Sequence, residues 1–386
     1  MMNRSMKLFL RLWTVVLAVA LLTAGSACAD QELREDPDNF FANPDPKYAA
    51  FISRAEDFSH SNSFHGVVLI ATDDEIILFG GPKGKTREGL PADMHTTYNI
   101  GSCTKTFTAV AVFQLIEAGR ISLNDPVSRF FPDYKTGEGI TIRQMLHMQS
   151  GIPDYVNDPE GFWTKVEKGE LDAYMTRVFQ DDVSDEEFLE SLYDAPLYYE
   201  PGTQQSYSNT NYYLLGMIIE QVSGVKLCDY FQEHIFDPCG MKNTTSMVVG
   251  NETSVPTMFR NLYEEGILDE NGYTMQPNSE RGAGGVHTCM EDFLAFDRAL
   301  LSLQLVDSES LEEMMNFEMD YGCGLYPYRG RAFGHSGRDG TYTTQNVIID
   351  SAQFGRVYFL ASTPTDAGTY GLDRLMGYVL SLGSGK

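Results

Sequence analysis

The chain has 386 residues, with 54 Asp and Glu against 28 Lys and Arg and a formal charge of −26. A surface that acidic repels phosphate backbones and anionic headgroups, which argues against a nucleic-acid partner. An apolar content of 42% with no internal repeat points to one large globular domain, or a core domain carrying an insertion, and sets solenoids and propellers aside.

The amino-terminal stretch reads as an export signal. Arg4, Lys7 and Arg11 make a basic start, and the apolar run 12–27 ends in small residues. The run is short for a membrane span, so removal is expected over retention. Two cleavage readings stand side by side. Ala27-Cys28-Ala29 fits the small-x-small rule of ordinary secretion. Gly25-Ser26-Ala27-Cys28 resembles a bacterial lipoprotein box with Gly25 in place of the usual aliphatic residue, and Cys28 would then carry lipid. Residues 1–29 are thus read as a signal and 30–46, acidic with Pro37, Pro44 and Pro46, as a tether. Residues 47–386 form the working domain. The expected location is secreted or lipid-anchored at the cell envelope, with membrane contact only through that lipid.

In the domain, 47–58 reads as an amphipathic helix, and 66–71 with 75–79 as a two-strand hairpin. A helix is predicted over 102–118, stopped by Gly119, followed by helices at 142–148, 185–193, 211–222, 227–234 and 290–301. Strands return at 341–350 and 356–362, and a helix closes the chain at 369–382. The predicted class is α+β: one antiparallel sheet built from both ends of the chain, with flanking helices and a helical insertion whose cleft faces it. Beyond Cys28 the cysteines are Cys103, Cys228, Cys239, Cys289 and Cys323. They show no C-x-x-C and no zinc spacing; Cys228 and Cys239 are a candidate pair, and the rest are expected as buried thiols. No metal or other cofactor is implied.

The chemistry begins at Ser102-Cys103-Thr104-Lys105. A serine hydroxyl is a poor nucleophile without a base, and a lysine three residues on shares its helical face. At a helix start, Ser102 would also have exposed N–H groups beside it. A second S-x-x-K, Ser223 to Lys226, straddles Gly224 at a predicted helix end and is set aside. Tyr207-Ser208-Asn209 and His335-Ser336-Gly337 follow the first copy in order. Two decoys share these letters. Tyr155-Val156-Asn157 repeats Y-x-N, and Lys135-Thr136-Gly137 stands too early in the chain with no strand after it. Ser336 is not a hydrolase elbow, because Arg338 occupies a position where glycine is needed.

In that order the three segments resemble the motifs of the serine β-lactamase and penicillin-binding protein superfamily. The likeness extends through Ile121-Ser-Leu-Asn-Asp-Pro126, Ile142-Arg-Gln-Met-Leu146, Ser150-Gly-Ile-Pro153, Pro238-Cys-Gly-Met241, Gly284-Gly285 and Asp292-Phe293, covering roughly 47–382. Its Y-x-N form is similar to class C β-lactamases, D-Ala-D-Ala carboxypeptidases and related esterases and D-aminopeptidases. The resemblance implies that Ser102 forms an acyl-enzyme. Lys105 would take its proton or hold Tyr207 reactive, and Tyr207 would protonate the leaving group and later activate water. Asn209 would bond both Lys105 and the substrate amide. The oxyanion would sit between the N–H groups of Ser102 and Arg338. His335, Ser336, Gly337 and Arg338 would line the substrate.

Lactamases usually carry lysine at the place of His335, and no E-x-x-L-N stretch supplies a class A deacylating glutamate. As an imidazolium, His335 would bind a substrate carboxylate and KM would climb with pH. As neutral imidazole it would bind weakly, with Arg338 as the substitute charge. The expectation is therefore an exported, monomeric serine hydrolase of an amide or ester bond, D-Ala-D-Ala carboxypeptidase-like or esterase-like. Its substrates would be small molecules or peptides, including peptidoglycan stem peptides and β-lactams. The alternatives are a class C-like β-lactamase and, from another class, a non-catalytic envelope protein that binds peptidoglycan fragments.

Overall fold

Val67–Thr72 (β2) is apolar at every position but its last, and such a strand must be covered on both faces. A computed structural model describes residues 41–61, 67–80, 94–179, 183–246, 280–329, 331–338, 342–364 and 370–381. The expected signal 1–29, with Cys28, and residues 30–40 of the tether lie outside them. Within this structure β2 pairs on one side with Ile76–Gly80 (β3) and on the other with Gly355–Pro364 (β9), Val67 opposite Ser362. The sheet has seven strands in the order β1-β3-β2-β9-β8-β7-β6, with every pairing antiparallel. Its members are completed by Phe41–Ala42 (β1), Tyr326–Tyr328 (β6), Ala332–Arg338 (β7) and Tyr342–Ser351 (β8). Tyr98–Asn99 (β4) and His287–Thr288 (β5) form a separate short pair beside it.

Side chains alternate through the sheet as the pleat requires. Val68, Ile70, Val357 and Phe359 point to one core, and Val67, Leu69, Tyr358 and Leu360 to another. The first core is closed by Ala49–Ser61 (α1) and Tyr370–Ser381 (α10), whose Phe51 and Tyr378 rings stack 5.5 Å apart. The second holds the larger helical body. At its centre runs Thr104–Glu117 (α2), apolar around most of its circumference and buried over 104–113. Its Phe107 stacks 3.7 Å from Phe296 of Met290–Leu301 (α8). Around it lie Ile142–Leu146 (α3), Leu171–Phe179 (α4), Asp185–Asp194 (α5), Asn209–Ser223 (α6), Leu227–Phe231 (α7) and Ser308–Met314 (α9). So the α+β class, the sheet joining both chain ends and the helical insertion are as expected.

Three local differences have physical reasons. Phe41 and Ala42, which the sequence assigns to the tether, pair with Phe79 and Leu78 at the sheet edge. Asn43 then donates from its backbone to Ile77 O and from its side chain to Glu75, so the folded body begins before residue 47. His335-Ser336-Gly337, where no strand was expected, lies within β7, against β8. Two glycines and two polar residues hide the alternation there. Cys228 and Cys239 are free thiols, as are Cys103, Cys289 and Cys323, so the candidate disulfide is absent.

Candidate active site

The nucleophile candidate is placed by the buried helix behind it. Ser102 sits in a 3-10 turn, Gly101–Cys103, that runs straight into α2. Lys105 follows one turn later and is fully buried. Its Nζ lies 3.0 Å from Ser102 Oγ, 2.7 Å from Asn209 Oδ1 and 2.6 Å from Ala283 O. Burial lowers its pKa to about 7, against the opposing pull of Asp154 and Glu280. Near neutral pH much of the population therefore holds an amine. That amine has two N–H groups, and Asn209 Oδ1 and Ala283 O can only accept them. Its lone pair is left for the Ser102 hydroxyl, which is the geometry a general base needs.

Tyr207 approaches from the loop before α6, and its hydroxyl donates to Ser102 Oγ at 2.8 Å. Burial pushes this phenol well above its ordinary pKa, so it is a proton donor and not a resident tyrosinate. Of the two roles the resemblance leaves open, this geometry favours Lys105 over Tyr207 as the base. Lys105 Nζ also lies 4.9 Å from the Tyr207 ring centroid.

β7 closes the other side. A Cβ on Gly337 would stand 1.7 Å from Ile100 O and 3.0 Å from Ser102 N. One on Gly101, at φ +50°, would stand 2.6 Å from Arg338 N. Strand and turn therefore touch backbone to backbone, which only glycine permits. The main-chain nitrogens of Ser102 and Arg338, the implied oxyanion donors, meet at this contact. The Cys103 thiol ties the same turn to β7 by donating to His335 O at 3.3 Å.

His335 is placed inside the strand behind the site. It is 2% exposed, its Nδ1 faces Ser336 O at 2.6 Å, and its Nε2 faces the Tyr321 hydroxyl at 3.1 Å. A carbonyl only accepts, so Nδ1 carries the hydrogen and Nε2 receives the Tyr321 proton. Burial, and then the nearby Lys105 charge, lower its pKa to about 3. It is a neutral brace of the aromatic wall formed by Tyr207, Tyr321 and Tyr326. Of the two forms considered for His335, this burial favours the neutral imidazole over the imidazolium. Ser336 is half-buried opposite Gln345, and Arg338 is exposed at the end of β7.

Asn209 makes the expected bond to Lys105 through its oxygen, and one N–H of its NH2 group points at the Asp154 carboxylate, 3.0 and 3.2 Å from its two oxygens. Asp154 was missed in the sequence, one residue beyond the Ser150 to Pro153 stretch. None of the decoys hydrogen-bonds Ser102 among the described residues. Lys135 bonds Pro132 O in a 3-10 turn, and Lys226 is exposed after the left-handed Gly224. Asn157 of the second Y-x-N supports Asp154.

A serine held between a buried lysine and a tyrosine, at the seam of an antiparallel sheet and a helical body, is the constellation of a serine hydrolase. The chain belongs to the Beta-lactamase family, whose model matches residues 51–378. It is 30% identical over 320 residues to "Penicillin-binding protein 4*" of Bacillus subtilis (strain 168), covering 76% of this chain and 67% of that relative. Among solved structures, a D-stereospecific amidohydrolase from Streptomyces sp. aligns with TM-score 0.60 and 25% identity, over 81% of this chain and 93% of that one. The penicillin binding protein from Bacillus halodurans aligns with TM-score 0.65 and 23% identity, over 85% and 98%. The last likeness bears on fold alone. The chain spans about two thirds of the length of the Bacillus subtilis relative.

Proposed function

We propose that this protein is an exported serine hydrolase that cleaves an amide or ester bond through an acyl-enzyme on Ser102, in the manner of a D-Ala-D-Ala carboxypeptidase or an esterase. The observation that carries the reading is the Ser102 hydroxyl lying 3.0 Å from a lysine amine and 2.8 Å from a tyrosine hydroxyl. In acylation the Ser102 proton passes to Lys105 Nζ as Oγ bonds the substrate carbonyl carbon. The oxyanion collapses, the bond to the leaving group breaks, and that group receives a proton from Tyr207, which Lys105 replenishes. Water retraces these steps in deacylation. A neutral His335 supports an uncharged or weakly charged group beside β7 over a lactam carboxylate, which disfavours the class C-like β-lactamase. The likeness to a D-stereospecific amidohydrolase is in keeping with amide substrates of D configuration. An intact nucleophile, base and acid weigh against a non-catalytic binder. The location proposed remains the cell envelope or the medium, and the working form a monomer.

Intact-mass spectrometry with benzylpenicillin and with p-nitrophenyl acetate tests the reading, beside Ser102→Ala. An adduct or a turnover that needs Ser102 is expected. Equal behaviour of the two proteins would remove the assignment.

A further inference from the structure

Asp154 is 5% exposed, and every hydrogen bond it receives comes from an N–H group. Three come from its own loop: Val156 N at 2.9 Å, Asn157 N at 3.1 Å and Asn157 Nδ2 at 2.7 Å. These hold the carboxylate independently of the active site. The others come from Asn209: its backbone N at 3.1 Å and its Nδ2 at 3.0 and 3.2 Å. An asparagine amide has a donor end and an acceptor end that a half-turn exchanges. With the NH2 group clamped on Asp154, the oxygen has one place to go, which is toward Lys105 Nζ at 2.7 Å.

We propose that Asp154 is a positioning residue for acylation, fixing the Asn209 amide with its oxygen on Lys105 so that the lysine lone pair stays on Ser102. The inference rests on Lys105 serving as the base. A flipped Asn209 would present N–H to the amine, draw its lone pair away from Ser102 Oγ, and leave one amine hydrogen without an acceptor. The clamp takes one of the two Asn209 side-chain N–H groups, shared between the Asp154 oxygens.

Charge adds a second, separable effect. The titratable groups around Lys105 are Cys103 in its own turn, Asp154 in the loop, Tyr207 and Tyr212 from the α6 side, Glu280 before β5, and His335 on β7. The thiol and both phenols are pushed up by burial, and His335 is pushed down, so all four are neutral near pH 7. Asp154 and Glu280 are the anions that favour the Lys105 ammonium. Removing the charge of Asp154 makes the ammonium give up its proton more readily.

The test uses the full chain and p-nitrophenyl acetate from pH 5 to 9, with thermal melting to check folding. Asp154→Asn keeps an oxygen for one Asn209 N–H but loses the charge. Its kcat/KM limb should move to lower pH by about one unit. Asp154→Ala should lower kcat/KM by about 10- to 100-fold. In an Asn209→Ala background the same change should cost only a few-fold. A limb unmoved in Asp154→Asn, or losses that multiply in the double variant, would overturn the proposal whatever the size of the rate loss. Absence of Ser102-dependent hydrolysis in the unmodified protein would instead sink the hydrolase reading. The Lys105 Nζ titration, followed by NMR in lysine-labelled protein, still decides the role of Asp154 in that case. A midpoint that Asp154→Asn leaves in place rejects it.

Discussion

At Lys105 two requirements meet, since the side chain must be dry enough to lose its proton near neutrality and still touch Ser102. Full burial supplies the first, and the Asn209 and Ala283 acceptors supply the second by fixing where its hydrogens point. Because the amine is the active form, kcat/KM for an ester should rise with pH through a midpoint near 7, the value to which burial brings Lys105. Tyr207→Phe should lower kcat by roughly 10²- to 10⁴-fold while leaving that midpoint in place. A pH profile whose rising limb vanishes in the variant would assign the titration to Tyr207 instead. Ser102, Lys105 and Tyr207 were legible because S-x-x-K and Y-x-N fall in register along the chain. Asp154 was not, because a lone aspartate after Pro153 carries no spacing signal, and its link to the site runs through Asn209 at the start of α6. His335 was legible as a position, but its protonation depends on burial, which a single sequence does not display.

Between α8 and β8 lies a buried acid that the chemistry does not use. Asn346 Nδ2 donates to Asp297 Oδ1 at 2.9 Å, while Asp297 Oδ2 and Asn346 Oδ1 have no hydrogen-bond partner among the described residues. Two spare acceptors on one acid–amide pair are reconciled by a single proton on the acid, which closes a cyclic pair. Burial accordingly raises Asp297 to about 8. The unfolded chain ionises near the ordinary carboxylate value of about 4, so the folded state binds one more proton than the unfolded state between pH 4 and 8. Stability from this group is therefore fully present below about pH 4 and falls as pH rises to about 8. Asp297→Asn puts an N–H where that proton sits and does not titrate. Its stability relative to the parent should grow by up to about 1.4 kcal/mol per pH unit across this range. Urea unfolding at pH 5, 6.5 and 8 measures it, and a constant difference would mean that Asp297 is ionised in the fold. At this scale the sequence showed the helices best, since α2 and α8 carry long apolar patterns. It hid β7, where Gly334 and Gly337 interrupt the alternation, and β1, where two residues inside an acidic, proline-containing stretch find a sheet edge.

The whole molecule carries a formal charge of −26, and that field acts on whatever diffuses to the site. An anionic ester should be hydrolysed with kcat/KM that climbs between 20 mM and 200 mM salt as repulsion is screened. A neutral ester of the same leaving group should show little change. Equal salt dependence for both would locate the acidic surface away from the approach path. The sheet that unites the two ends of the chain was readable from strands bracketing a run of helices, although its order and register were not.

That same sheet sets a timetable. Val67 finds its partner Ser362, and Gly337 reaches Ile100, only after nearly the whole polypeptide has been synthesised. Loops of that span make closure slow, and a nascent chain holds no finished strand order until its last quarter is available. The contact between β7 and the Ser102 turn can therefore form only late in synthesis. If the chain is exported as proposed, it would do so before β7 has docked on the Ser102 turn.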